Sequence, residues 1–317
     1  MSANRVAIVT GASRGIGKAV ALHLISKGVS VVGVARSADA ISSTSQEANK
    51  LSSTAAKFIP VVGDVTDDAV QQSAIDHATE QGTLVALVNN AGIIDPIGPI
   101  SSAPIGLWTA QLQINFVAPF SFIQKVLPLL RPVHGRIINV SSAISHVVFP
   151  NYAIYGASKA ALNQATRVLA AEEPEITALA IHPGVVETQI YAAVVDYRKR
   201  ASSSGGQKVS STPRPPSIAA DLPGTIIGNL ALRADHSLSG QYVMYDQPEI
   251  ANGQFIRAVG DVTDEAAQQA SVGETAKQCS SGSCGQFSRW RSRESSLPNH
   301  LIRWPDTTRL APLHPLA

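Results

Sequence analysis

Tyr155 and Lys159 stand four apart in the run Tyr155-Gly156-Ala157-Ser158-Lys159. On a helix, positions i and i+4 share a face and their side chains meet. An ammonium beside a phenol favours phenolate, so the pair is expected to draw the tyrosine pKa down from about 10 toward working pH. Such a group gives and takes protons, as interconversion of a carbonyl and an alcohol requires. Ser142, in Asn139-Val140-Ser141-Ser142, adds a hydroxyl suited to an oxygen on which negative charge develops. Thr10-Gly11-Ala12-Ser13-Arg14-Gly15-Ile16-Gly17 is a third element. Gly11, Gly15 and Gly17 let backbone approach a pyrophosphate, and a helix beginning near Ile16 points N–H groups and a positive dipole end at it.

These residues need a scaffold, and the chain alternates apolar β-rich runs with helical patterns. Strands are expected at Val6–Thr10, Ser30–Ala35, Phe58–Val62, Leu84–Asn89, Arg136–Val140 and Thr177–Ile181. Helices are expected at Ile16–Lys27, Ala38–Lys50, Asp67–Gln81, Trp108–Leu130 and Ala153–Ala171. Near-continuous apolar strands separated by helices imply a parallel sheet covered on both faces. Right-handed crossovers then give an α/β, Rossmann-type doubly wound sheet. After Thr188 the pattern loosens. Residues 201–216 are rich in Ser, Gly and Pro and read as a flexible surface segment. A helix resumes near Ile218–Arg233, and Gly240–Tyr245 reads as the last strand. Residues 1–250 are thus expected to form one dinucleotide-binding domain that includes the substrate pocket. Residues 251–317 lack a sustained amphipathic period and read as a low-complexity, disordered tail. Within that tail Val259-Gly260-Asp261-Val262-Thr263-Asp264 repeats Val62-Gly63-Asp64-Val65-Thr66-Asp67. No physical reason for the repeat emerges.

Composition narrows the class of protein. A hydrophobic fraction of 44% and a charged fraction of 15% describe a soluble chain with a sizeable core. A formal net charge of +2 argues against nucleic acid or an anionic membrane as partner. The apolar run Ile114–Leu130 is short for a membrane span and interrupted by Asn115, Gln124, Lys125 and Pro128. Only Cys279 and Cys284 are present, so no disulfide framework is expected and a reducing, cytoplasmic setting fits. No cluster of His, Cys and carboxylates has metal-ligand spacing. The second strand ends Val34-Ala35-Arg36-Ser37 with no acid at its tip. With Arg14 in the glycine turn, two cations favour the 2′-phosphate of NADP(H), while Asp39 keeps NAD open.

In order across residues 5–246, these motifs resemble the short-chain dehydrogenase/reductase family. The resemblance covers Thr10–Gly17, Asn89-Asn90-Ala91-Gly92, Asn115, Ser142, Tyr155, Lys159 and Pro183-Gly184-Val185-Val186-Glu187-Thr188. It implies that Asp64 and Val65 border the adenine, that Pro183, Gly184, Val186 and Thr188 lie beside the nicotinamide, and that Asn90, Ala91 and Gly92 bind the cofactor. It also implies that Tyr155 protonates the carbonyl oxygen while Lys159 holds the nicotinamide ribose. Asn115, a buried amide in an apolar helix, would hold a water in a proton relay behind Lys159. Tyr152 faces Gly156 four residues on and reads as pocket wall, Ser141 as structural, and His146 and His182 as residues without a direct role. Family members commonly pair two helices across a two-fold axis, so a homodimer through Trp108–Leu130 and the helix after Tyr155 is expected.

Gly33-Val34-Ala35-Arg36, Glu172-Glu173-Pro174 and Leu238-Ser239-Gly240-Gln241-Tyr242 further resemble the fungal benzil reductases, relatives of sepiapterin reductase. The implied activity is NADPH-dependent reduction of a small apolar ketone or vicinal diketone. Its pocket would be walled by Ala143–Tyr152, Ile94–Pro99 and the segment after Gly184, with Val147, Val148, Phe149 and Ile190 as apolar lining. A 3-oxoacyl thioester reductase and a pterin carbonyl reductase remain alternatives. A regulator that binds NADPH without turnover is the alternative of another class, though it has no need to keep Ser142, Tyr155 and Lys159 together.

Overall fold

The computed structural model describes residues 4–52, 55–203 and 216–252. The expected tail, its internal repeat and most of the Ser/Gly/Pro-rich stretch lie outside the described residues. Seven strands among the described residues form one sheet: β1 (Arg5–Thr10), β2 (Ser30–Ala35), β3 (Phe58–Val62), β4 (Thr83–Asn89), β5 (Arg136–Val140), β6 (Thr177–His182) and β7 (Tyr242–Met244). Their spatial order is β3-β2-β1-β4-β5-β6-β7, and every neighbouring pair is parallel. The order reverses between β1 and β4, which opens a crevice at the carboxyl ends of the strands. This is the doubly wound sheet the alternation predicts.

Helices are α1 (Gly15–Ser26), α2 (Ala38–Leu51), α3 (Asp68–Gln81), α4 (Ile105–Leu112), α5 (Ala118–Leu130), α6 (Ala153–Glu172), α7 (Gln189–Ser203), α8 (Asp221–Arg233) and α9 (Pro248–Ala251). One core packs α1, α2 and α8 on the sheet through Val20, Leu24, Ile41, Ile227 and Leu230. The other packs α3, α5 and α6 through Ile75, Phe122, Ile123, Val126 and Leu169. Both faces are covered over β1 and β2, which is why these strands are apolar at almost every position. Each fully buried Leu or Ile contributes roughly 1.5–3 kcal/mol. Side-chain caps define two helix starts: Ser37 accepts from Ala40 N at 3.3 Å and Asp67 from Ala69 N at 2.9 Å.

Two segments differ from the sequence expectation. The single helix expected over Trp108–Leu130 begins at Ile105 and is widened to a π-helical turn at Gln113–Val117. Its cause is visible at Asn115, which the wider turn directs inward to the backbone of Ile93 (below). After Thr188, where the pattern loosens, the chain forms the fifteen-residue helix α7. Ile190, Ala193, Val194 and Tyr197 fall at i, i+3, i+4 and i+7, a short apolar stripe inside an otherwise polar segment. Among the described residues no helix is long and apolar enough to cross a membrane.

Candidate active site

The crevice at the strand ends is a cleft of about 1090 Å³. At its β1 end the glycine turn is held open by Asn90. Asn90 Nδ2 donates to Thr10 O at 2.9 Å, and the N–H groups of Asn90 and Ala91 both donate to Thr10 Oγ1 at 3.0 Å. Gly11 and Gly15 adopt φ of +68° and +52°, which a side chain resists. Arg14 precedes the first turn of α1 without capping it, so the first N–H groups of that helix have no side-chain acceptor. A turn of this shape, backed by a helix N-terminus, fits a dinucleotide pyrophosphate. Gly11, Ser13, Arg14, Gly15 and Ile16 line the cleft. Gly17 lies just behind them, where a Cβ would strike Gly11 O, so its bare Cα preserves the shape of the turn.

Arg36, Asp64, Val65, Asn90, Ala91 and Gly92 continue the lining, and Pro183, Gly184, Val186 and Thr188 complete the opposite side. Arg36 Nη1 lies 3.9 Å from Asp64 Oδ2, both side chains being solvent-accessible. Asp64 Oδ1 accepts from Thr66 N at 2.9 Å and Thr66 Oγ1 at 2.8 Å. Burial opposes ionisation, but these bonds and the Arg36 charge hold the Asp64 carboxyl below its ordinary range. Asp39, the residue that keeps NAD open, sits in the first turn of α2 and does not line the cleft.

Farther along, β5 delivers Ser142 and α6 delivers Tyr155 and Lys159. Ser142 caps a short 3₁₀ turn (Ala143–Ser145), its Oγ accepting from Ile144 N at 3.3 Å. It also faces the Tyr155 hydroxyl, and that neighbour favours the phenolate form. The expected depression of the Tyr155 pKa is not met. Burial pushes the phenol up to about 12 against the Ser142 bond, and pushes the Lys159 ammonium down to about 8. Both groups are withdrawn from water together, and Lys159 Nζ donates to Val140 O at 2.8 Å, 5.9 Å from the Tyr155 ring centre.

Asn115 is fully buried and outside the cleft lining. Its Oδ1 accepts from Ile93 N at 2.9 Å, and its Nδ2 donates to Ile93 O at 2.8 Å and Ser158 Oγ at 3.2 Å. These three bonds hold the amide in place and leave Oδ1 a second lone pair. It fixes the backbone just after Gly92, whose missing side chain leaves room for Asn115 Oδ1 and Lys159 Nζ.

The substrate end of the cleft is walled by Ile94, Ile144, Phe149, Tyr152 and the α7 residues Ile190, Ala193 and Val194. Ile94, Tyr152 and Tyr155 form a small buried cluster against which Ile97, Ile144, Ile190, Ala193 and Val194 pack. Tyr152 is wall, and Ser141 is structural through Asn163 Oδ1 at 2.6 Å. Val147 and Val148 are corrected. Neither lines the cleft, and Val148 is 91% exposed, because the turn after Ser145 carries them outward. Of the expected wall Ile94–Pro99 only Ile94 and Asp95 reach the lining. Phe149 and Ile190 line the cleft as expected, and the α7 residues Ala193 and Val194 are the lining the sequence reading missed. His182 lines the cleft with Nδ1 accepting from Ala143 N at 3.3 Å, and burial lowers its pKa. Among the described residues no three His, Cys, Asp or Glu side chains gather to hold a metal ion.

Fold, glycine cradle and the Ser–Tyr–Lys grouping define an α/β oxidoreductase, and residues 5–199 match the family model described as short chain dehydrogenase. The chain belongs to the short-chain dehydrogenase/reductase family, whose members bind a nicotinamide dinucleotide on this fold and act on small molecules. It is 32% identical over 255 residues to the uncharacterized oxidoreductase YIR035C of Saccharomyces cerevisiae, covering 78% of this chain and 98% of that protein. The crystal structure of YIR035C superposes with a TM-score of 0.68 over 78% of this chain and 99% of that one, at 28% identity. Benzil reductase ((S)-benzoin forming) IRC24 of the same yeast is 32% identical over 269 residues, covering 78% of this chain and 97% of that protein. A metagenomic blue fluorescent protein crystallised in complex with NADPH matches with a TM-score of 0.63 and 26% identity, over 80% of this chain and 98% of that chain.

Proposed function

We propose that the chain is an NADPH-dependent carbonyl reductase acting on a small apolar ketone or vicinal diketone of the benzil or diacetyl type, with Tyr155 as general acid. The observation that carries this reading is one cleft that gathers Ser142, Tyr155 and Lys159 beside a wall of Ile94, Ile144, Ile190 and Val194. The glycine turn Gly11–Gly17 with the start of α1 would hold the pyrophosphate, Asp64 and Val65 the adenine, and Arg14 with Arg36 the 2′-phosphate. Residues 90–92, Tyr155, Lys159, Pro183, Gly184, Val186 and Thr188 would hold the nicotinamide half. The nicotinamide, when bound, supplies a hydride.

The chain's own residues handle the oxygen and its proton. With its acceptor side taken by Ile144 N, Ser142 offers its proton to the carbonyl oxygen as charge builds there. Tyr155 keeps its proton at any working pH because burial raises its pKa to about 12. An alkoxide is a stronger base than that buried phenolate, so the proton moves to substrate when the alkoxide forms. The Lys159 cation beside the ring then favours the phenolate left behind. Asn115 keeps the Gly92–Ile93 backbone in place beside Lys159.

Arg36 in the cleft, Asp39 outside it, and the likeness to a benzil reductase and to an NADPH complex support the cofactor and substrate. A homodimer belongs to the same reading: Ile105, Leu107, Val117 and Val168 remain 41–70% exposed on the two helical segments concerned. So does a cytoplasmic location, consistent with two cysteines in 317 residues. The test is turnover of benzil, diacetyl, simple ketones, pterins and acyl thioesters with NADPH and with NADH. Preference for diketones with NADPH supports the reading. Turnover confined to thioesters or pterins selects those reductases, and NADPH binding without turnover selects the regulator.

A further inference from the structure

Tyr155, Lys159 and Asn163 recur every fourth residue on the buried face of α6. The first two meet the chemistry. Asn163, 6% exposed, points its amide at the turn that carries Ser142. Its Oδ1 accepts from Ser141 Oγ at 2.6 Å and its Nδ2 donates to Ser145 Oγ at 2.9 Å. Ser145 Oγ lies 2.6 Å from Ser142 O, and Ser145 N donates to the same oxygen at 3.0 Å. One side chain on the Tyr155 helix therefore grips the Ser142 turn on both sides of Ser142.

Resting on the reductase reading above, we propose that Asn163 is a positioning residue that sets Ser142 against Tyr155. The argument is geometric. Two hydroxyls must meet one substrate oxygen, and they come from different elements, the end of β5 and the start of α6. A displacement of ~1 Å between such groups costs up to about a hundredfold in rate. Asn suits the position because it must accept from one serine and donate to the other; leucine of similar volume does neither and aspartate only the first. Ser145 Oγ accepts from Asn163 Nδ2 and gives its own proton to Ser142 O, so the amide is tied to the Ser142 backbone through one hydroxyl.

The experiment uses the full chain with NADPH and benzil. Asn163→Leu should lower kcat roughly ten- to hundredfold, with the Kd for NADPH held within about twofold. Introduced into Ser142→Ala, it should cost nothing further, since no hydroxyl remains to be positioned. Amide hydrogen exchange over residues 141–146 should accelerate in Asn163→Leu without substrate present. Unchanged kcat, or an equal loss with and without Ser142, would overturn the proposal. If thermal melting shows that Asn163→Leu does not fold, Ser145→Ala carries the same cycle with the same expected outcomes. A Ser142→Ala variant of full activity would instead overturn the reductase reading itself, so the two failures are distinguishable.

Discussion

Lys159→Met should separate stability from activity. Burial lets the Lys159 proton go near pH 8 rather than 10.5. Keeping that charge in the folded state at neutral pH costs about 3 kcal/mol. Against this, Nζ donates to Val140 O at 2.8 Å, and a buried carbonyl that loses its partner costs about 1–3 kcal/mol. Methionine is flexible and uncharged and fills a similar path. The balance leaves Lys159→Met between unchanged and about 2 kcal/mol more stable than the parent at neutral pH. The pH dependence is more specific. Because the folded-state pKa is depressed, the penalty is complete below about pH 8 and fades as pH approaches 10.5, the window in which the unfolded chain binds more protons. The parent therefore gains on the variant through that window, while Tyr155 is common to both. Urea unfolding of the pair from about pH 7 to about pH 10, alongside NADPH oxidation with benzil, measures both sides, and the rate should fall at least about a hundredfold. A variant more than about 1 kcal/mol less stable at neutral pH, or a difference that does not move with pH, would refute the burial argument.

Arg36→Asp should lower kcat/KM for NADPH roughly ten- to hundredfold and raise it for NADH, since a charge-assisted phosphate contact becomes a repulsion beside Asp64; steady-state rates with both cofactors decide it, and equal efficiencies in the parent would contradict the assignment. Ile190→Ala opens the α7 wall and should raise KM for benzil roughly tenfold with little effect on diacetyl, which is too small to reach it; equal effects on the two diketones would mean that α7 does not grip substrate. Light scattering at micromolar concentration should return twice the chain mass, and a single chain mass would exclude the homodimer.

The doubly wound parallel sheet was legible because its central strands β1, β2 and β5 are buried at nearly every position, so composition alone marks them. The site motifs were legible for another reason: glycine turn, Ser142 and the Tyr155–Lys159 spacing each constrain backbone or face. What escaped was set by tertiary contact. The α7 stripe of Ile190, Ala193 and Val194 is too narrow to read as a helix until Ile94 and Tyr152 are there to meet it. Val147 and Val148 have the composition of a wall and point outward, because the 3₁₀ turn capped by Ser142 sets their direction. The Tyr155 pKa went the other way because helix spacing brings the two side chains together yet says nothing of how deeply both are buried. Asn115 was readable as a buried amide in need of partners, but the π-helical turn that hands it Ile93 has no mark in the sequence.

The most direct test of the central claim compares the parent with Tyr155→Phe for NADPH oxidation and hydroxyketone formation on benzil, with NADPH affinity measured on both. The account predicts one hydroxyketone per NADPH oxidised by the parent. It predicts a loss of at least about a hundredfold in Tyr155→Phe, with cofactor affinity nearly intact, because only the proton donor is removed. A parent that binds NADPH and reduces no carbonyl, or a Tyr155→Phe variant that keeps its rate, would contradict it.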